Sequence, residues 1–321
     1  MKKVRKLVSV LMLAAAVVFA AGCTKPDEPN NGGGNNGGGN NGGADSNAPT
    51  GSTGGVFTIN ANGDKVYFSK GNLQYQASTK TWRFAEQQWE SLIDANRNIS
   101  STYDGWIDLF GWGTSSWNNG NVYYQPYDYD FVYDRTDCGY GYGPTDGIVY
   151  TLDLKGAYAK ADWGIYNPIT NGGNQSNLWR TLTEAEWDYL LKTRSTTSGI
   201  RYAHALVNNI GGLILLPDNW DASNFSFLNA DSYQAEWTSN TVSESEWNRI
   251  FKPAGAVFLP VTGERQITGV YNQGMGFYWS SVCYGEENAY SLQFSVTAVT
   301  PTNYTGERYT GRAVRLVQVA Q

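Results

Sequence analysis

Few side chains in this sequence can do covalent chemistry, and their spacing limits what that chemistry would be. His204 is the only histidine, so a Ser-His-Asp relay would have to use it and a multi-histidine metal site cannot be built. It stands in R-Y-A-H-A-L-V, among apolar neighbours, where a packed or surface imidazole is the expected role. The cysteines are Cys23, Cys138 and Cys283, far apart in the chain. In an oxidising compartment Cys138 and Cys283 can bridge or stay as buried thiols, and their separation leaves both open. Asp128, Asp130, Asp134 and Asp137 offer oxygens of the kind calcium takes, but the spacing is not that of an EF-hand: glycine is missing at the sixth position and the twelfth is Gly139. A solvated acidic loop is the expected reading. Paired carboxylates for glycoside hydrolysis would have to come from Glu286, Glu287 and Glu307, which qualify by position alone. No glycine-rich phosphate loop with its lysine occurs. No catalytic residue, metal ligand or cofactor is therefore assigned.

The elements that must position these groups are clearest around residues 179–194, W-R-T-L-T-E-A-E-W-D-Y-L-L-K-T-R. Thr183 can cap a helix with its hydroxyl while Glu186, three residues on, reaches back to the cap N–H. Trp187, Leu190 and Leu191 then fall on one buried face. Lys192 and Arg194 place positive charge at the helix end, where the macrodipole favours it. Ser243-Glu244-Ser245-Glu246-Trp247 repeats the cap spacing, which predicts a second helix of the same chemistry and no duplication.

The run R-T-L-T-E-A-E-W-D-Y resembles a segment of the formylglycine-generating-enzyme (sulfatase-modifying-factor) group, whose members share a C-type-lectin-like fold. Y-W-S-S-V, S-L-Q-F and G-R-A-V-R-L-V near the C-terminus resemble the closing strands of bacterial lectin-fold lipoproteins. The enzymes of that group depend on two cysteines close together near the C-terminus. Here Cys283 has no such companion, so the resemblance implies the fold without the copper-linked oxidation. Calcium-dependent lectins use an E-P-N or Q-P-D triplet with W-N-D. In the folded region Asp218-Asn219-Trp220-Asp221 has the wrong order and no triplet partner, so that mechanism does not transfer.

Residues 1–22 pair a basic start with an apolar run too short to span a bilayer comfortably, which reads as a signal peptide. Ala20-Ala21-Gly22-Cys23 resembles a bacterial lipobox, which implies lipidation at Cys23. Losing Lys2, Lys3, Arg5 and Lys6 with the leader takes the formal charge from −6 to −10, a balance that argues against nucleic acid as a partner. Residues 23–55, rich in Gly and Asn, are expected to form a flexible tether. Lys25-Pro26-Asp27-Glu28 resembles the export signal of Bacteroidetes surface lipoproteins, so the expected site is the outer membrane, facing outward, with the lipid as the only membrane contact.

From Val56 the pattern alternates, and Asn62-Gly63 predicts a hairpin between V-F-T-I-N and K-V-Y-F-S. A second hairpin is expected across A-S-T-K, then a short helix over 84–93 carrying Trp89, Leu92 and Ile93 inward. The Trp- and Gly-dense stretch 106–117 is a carbohydrate platform or, more in keeping with its glycines, core packing. Ala161-Asp162-Trp163-Gly164 and Gly263-Glu264-Arg265 read as turns, and 211–217 and 255–261 as buried strands. Residues 277–282, 290–296 and 313–319 read as sequential antiparallel strands. The expected fold class is α+β: one C-type-lectin-like domain over 56–321, with short antiparallel strands, two or more helices, long irregular loops and an N-terminal β-hairpin elaboration. Between the last strands, Tyr284, Glu286, Asn288, Asn303, Tyr304, Arg308 and Tyr309 are the candidate ligand residues, since Tyr and Asn join contact area to adaptable hydrogen bonding. Their placement resembles the variable proteins of diversity-generating retroelements. The expected function is a non-enzymatic surface lipoprotein that binds an extracellular glycan or protein. A carbohydrate-active enzyme with paired carboxylates and a structural subunit of a surface assembly are the alternatives.

Overall fold

In the computed structural model the residues described are 43–97, 103–117, 153–266, 269–285, 288–302 and 305–320. Cys23, Asp128, Asp130, Asp134, Asp137, Cys138, Glu286, Glu287, Asn303 and Tyr304 lie outside them. Strand accounts for 34% and helix for 16% of the structure, which makes the class α+β.

Two turns set the first half of the fold. Gly63, at φ +84°, joins β1 (Ser52–Thr58) to β2 (Lys65–Ser69), and the A-S-T-K turn joins β3 (Leu73–Gln76) to β4 (Thr81–Phe84), both antiparallel as expected. The folded part begins before Val56. β1 starts at Ser52, the Ala44 N–H donates to the Pro253 carbonyl, and the Tyr67 hydroxyl donates to Asp45. Composition alone assigns 43–55 to the tether, yet backbone pairing needs no apolar side chain.

No helix forms over 84–93. The amides there go elsewhere: Ala85 N–H to the Asn72 carbonyl and Leu92 N–H to the Asp108 carboxylate, leaving only a 3-10 turn at Ala95–Arg97. Trp89 is nevertheless buried. Residues 161–164 are likewise more than a turn. Asp162 caps α1 (Trp163–Tyr166), accepting from Gly164 N–H, and its other oxygen accepts from Thr181 N–H in β5 (Arg180–Thr181).

Both predicted capping boxes are present, opening α2 (Glu184–Asp188) and α3 (Glu244–Glu246). Each helix passes at once into a π turn, Tyr189–Thr193 and Trp247–Phe251. Trp187, Leu190 and Leu191 are buried as their spacing requires. Arg194 departs from expectation: it turns inward, 2% exposed, and pairs with Asp218 at 2.8 Å. The carboxylate is what makes burial of a guanidinium tolerable.

A second sheet holds β6 (Tyr202–Val207), β7 (Ile210–Leu215), β8 (Thr241–Val242) and β9 (Val257–Pro260) in the order β8-β6-β7-β9. Residues 263–265 are not a turn beyond Gly263. β10 (Glu264–Gln266) pairs with β11 (Gly269–Tyr271), and Glu264 is drawn into the core by Arg312 at 2.8 Å. Next, β12 (Gly276–Tyr284) and β13 (Asn288–Ser295) form a long hairpin, flanked on its outer edge by β14 (Ala298–Thr300) and β15 (Thr305–Glu307). The last strand, β16 (Leu316–Val319), does not continue that sheet. It pairs with β2 and β5, completing the order β1-β2-β16-β5. There Val317 is buried in one apolar cluster with Phe57 and Phe68 of the first hairpin.

Candidate functional site

The described candidate ligand residues gather where the β12–β13 hairpin turns. Tyr284 and Asn288 are register partners at its end, and Gly285, at φ +65°, supplies the left-handed backbone that starts the turn. On the other side Asn288 faces Glu307 of β15. Tyr284 is 52% exposed, and its ring meets the edge of Tyr290 at 5.2 Å. The Tyr309 hydroxyl donates to Glu307. Thus Tyr284, Asn288, Glu307, Arg308 and Tyr309 stand on adjoining strands and turns.

Arg308 is a correction to the sequence reading. It is 4% exposed, with its guanidinium 4.6 Å from the centroid of the Trp112 ring. Nη2 donates to the Gly285 carbonyl at 3.0 Å and Nε to the Asn288 carbonyl at 3.2 Å. Its own carbonyl accepts the Trp112 N–H at 2.7 Å. A planar cation with several donors can brace two carbonyls of one turn while stacking on an indole. Arg308 therefore holds the hairpin end in place from beneath.

Residues the sequence did not single out complete the surroundings. Asp153 accepts the Cys283 N–H at 3.1 Å and pairs with Lys155 at 2.7 Å. Burial first, then Asp153, pushes the Cys283 thiol above its ordinary value, so it stays protonated. Burial, then the nearby Glu184 carboxylate, raises Tyr290 as well. The contacts of Asp153 with Cys283 and of Glu184 with Tyr290 join residues distant in the chain, and no local pattern announces them.

The other candidates are structural. His204 is fully buried, its Nε2 lies 3.0 Å from the Ser295 carbonyl, and its ring packs on Trp237 at 5.1 Å. Trp112 is buried with Nε1 bonded to the Ser280 carbonyl, and Trp106 is covered by Arg83 at 3.9 Å, so these rings are engaged in packing. Among the described residues no group of three or more His, Cys, Asp or Glu could hold a metal ion. A cleft of about 590 Å³ opens beside β2 and β16, lined by Asp45, Lys65, Tyr67, Arg180 and Glu186, and includes none of the hairpin-end residues.

Comparison with protein-family models, curated proteins and solved structures finds no match to this chain.

Proposed function

We propose that the chain is an outward-facing outer-membrane lipoprotein, anchored at Cys23, whose domain has a C-type-lectin-like fold and binds an extracellular glycan or protein without catalysis. The fold assignment is supported by the position of β16, which returns to the first hairpin, and by the placement of the Y-W-S-S-V and S-L-Q-F motifs as paired strands. The binding assignment rests on one observation: exposed Tyr284 and half-buried Asn288 end a hairpin whose turn is braced by the buried Arg308. An aromatic and an amide held on a rigid support bind with little ordering cost. Tyr309 is assigned to the same ligand surface, and Glu286, Asn303 and Tyr304, which lie outside the described residues, stay ligand candidates by sequence.

Probing a glycan and extracellular-protein array with the purified chain tests this reading. A ligand retained by the wild type and lost in Tyr284→Ala supports it. Binding that is indifferent to every hairpin-end substitution removes the assignment.

A further inference from the structure

Three side chains from separate parts of the chain meet beyond the ends of β2 and β4. Lys70 Nζ lies 2.7 Å from Glu86 Oε2, and Asn171 Nδ2 lies 3.0 Å from Glu86 Oε1. One carboxylate thus touches both an amine and a carboxamide. The carboxamide is fixed: its Oδ1 accepts the Phe84 N–H at 2.7 Å and its Nδ2 also donates to the Phe84 carbonyl at 2.9 Å. The two backbones are fixed too. Lys70 N–H donates to the Gly51 carbonyl at 2.7 Å, and Gly51, at φ +86°, packs so closely on the 171–172 turn that a Cβ there would stand 2.6 Å from the Asn171 carbonyl oxygen.

We propose that this cluster is a self-modification site that forms an amide cross-link between Lys70 and Asn171. The residue types match an acyl transfer. Lys70 is the nucleophile once Glu86 takes a proton from its ammonium. The amine attacks Asn171 Cγ, whose oxygen is polarised by the Phe84 N–H, placed as an oxyanion donor. The Cγ–Nδ2 bond then breaks as protonated Glu86 gives its proton to Nδ2 and ammonia leaves, and the Lys70 nitrogen, still carrying two hydrogens, gives one to the Glu86 carboxylate to leave the neutral amide. One C–N bond forms, one is lost, and no oxidant or cofactor enters. Pairing with Lys70 holds Glu86 below the usual carboxylate range, so the ion pair is the resting state and the proton transfer that frees the amine is uphill. Positioning substitutes for the missing second-order collision. Glu86 remains half in water, with 57% of its side chain exposed, so the reaction is slow and its product accumulates with the age of the protein.

Peptide mapping by mass spectrometry of the purified full chain, fresh and after long incubation at mildly alkaline pH, tests the proposal. The expected result is a branched peptide joining Lys70 to Asn171, lighter than the sum of its parts by one ammonia and absent from Lys70→Arg. Glu86→Gln should slow its formation by about 100-fold or more, as for loss of a general acid–base. Recovery of Lys70 and Asn171 only in separate linear peptides overturns it. So does an ammonia loss that persists in Lys70→Arg, which would mark cyclisation at Asn171-Gly172.

Discussion

The Arg308 guanidinium stacks 4.6 Å from the Trp112 ring centroid while Trp112 N–H donates to the Arg308 carbonyl at 2.7 Å, so the two residues grip each other through side chain and backbone. From that grip Arg308 reaches the carbonyls of Gly285 and Asn288. The turn that ends the β12–β13 hairpin is thereby tied to the Trp-rich stretch, more than 150 residues earlier in the chain.

Arg308→Ala should cost about 2 kcal/mol, since it removes hydrogen bonds from a charged donor and the cation–π contact together. Hydrogen exchange at 283–288 should rise more than elsewhere. Arg308→Lys should not restore protection, because an ammonium cannot stack and reach both carbonyls as the fork does. Unchanged exchange in Arg308→Ala would mean that the turn is held by other contacts.

The buried pair Glu264–Arg312 links β10 to the segment leading into β16, with side chains 5% and 3% exposed. Glu264→Gln removes the carboxylate that faces the buried Arg312 guanidinium and should lower stability by about 3–5 kcal/mol. Urea unfolding measures this directly. A loss below about 1 kcal/mol would show that Ser291, which accepts from Arg312 at 2.6 Å, and the neighbouring rings suffice to stabilise the cation.

Burial lowers the His204 pKa, so the folded state resists the proton that the unfolded chain accepts at an ordinary value of about 6.5. The unfolded state then binds more protons, and stability falls as pH drops through that value, by up to about 1.4 kcal/mol per pH unit for one group. Asp108 acts with the opposite sign. Burial raises it to about 6, so its contribution is lost as pH rises from the ordinary carboxyl value of 3.8 toward 6. His204→Gln should flatten the pH dependence of the urea midpoint below about pH 6.5. An unaltered slope would place the titration elsewhere.

How much of this was legible in sequence depended on how local the signal was. Thr183 with Glu186, and Ser243 with Glu246, announce helix starts within four residues, and Asn62-Gly63 announces a hairpin. Trp187, Leu190 and Leu191 declare their buried face by spacing alone. Arg194, Glu264 and Arg308 are charged residues whose type predicts exposure, and they are buried because of Asp218, Arg312 and the Gly285 and Asn288 carbonyls. Those partners are 24, 48, 23 and 20 residues away. The partner of β16 was illegible for the same reason: its alternation fits any antiparallel neighbour, and only the assembled core selects β2 and β5. Of the candidate site, the location at the hairpin end was readable from the flanking strands, but the division between Tyr284 facing outward and Arg308 facing inward was not.

The decisive measurement is the affinity of the purified chain for whichever array ligand it selects, compared with a Tyr284→Ala, Asn288→Ala double variant at matched melting temperature. The account predicts that affinity falls at least tenfold while the melting curve stays in place, because both side chains end a hairpin whose frame is built from other residues. Equal affinity in the two proteins, or a loss that appears only together with unfolding, would contradict it.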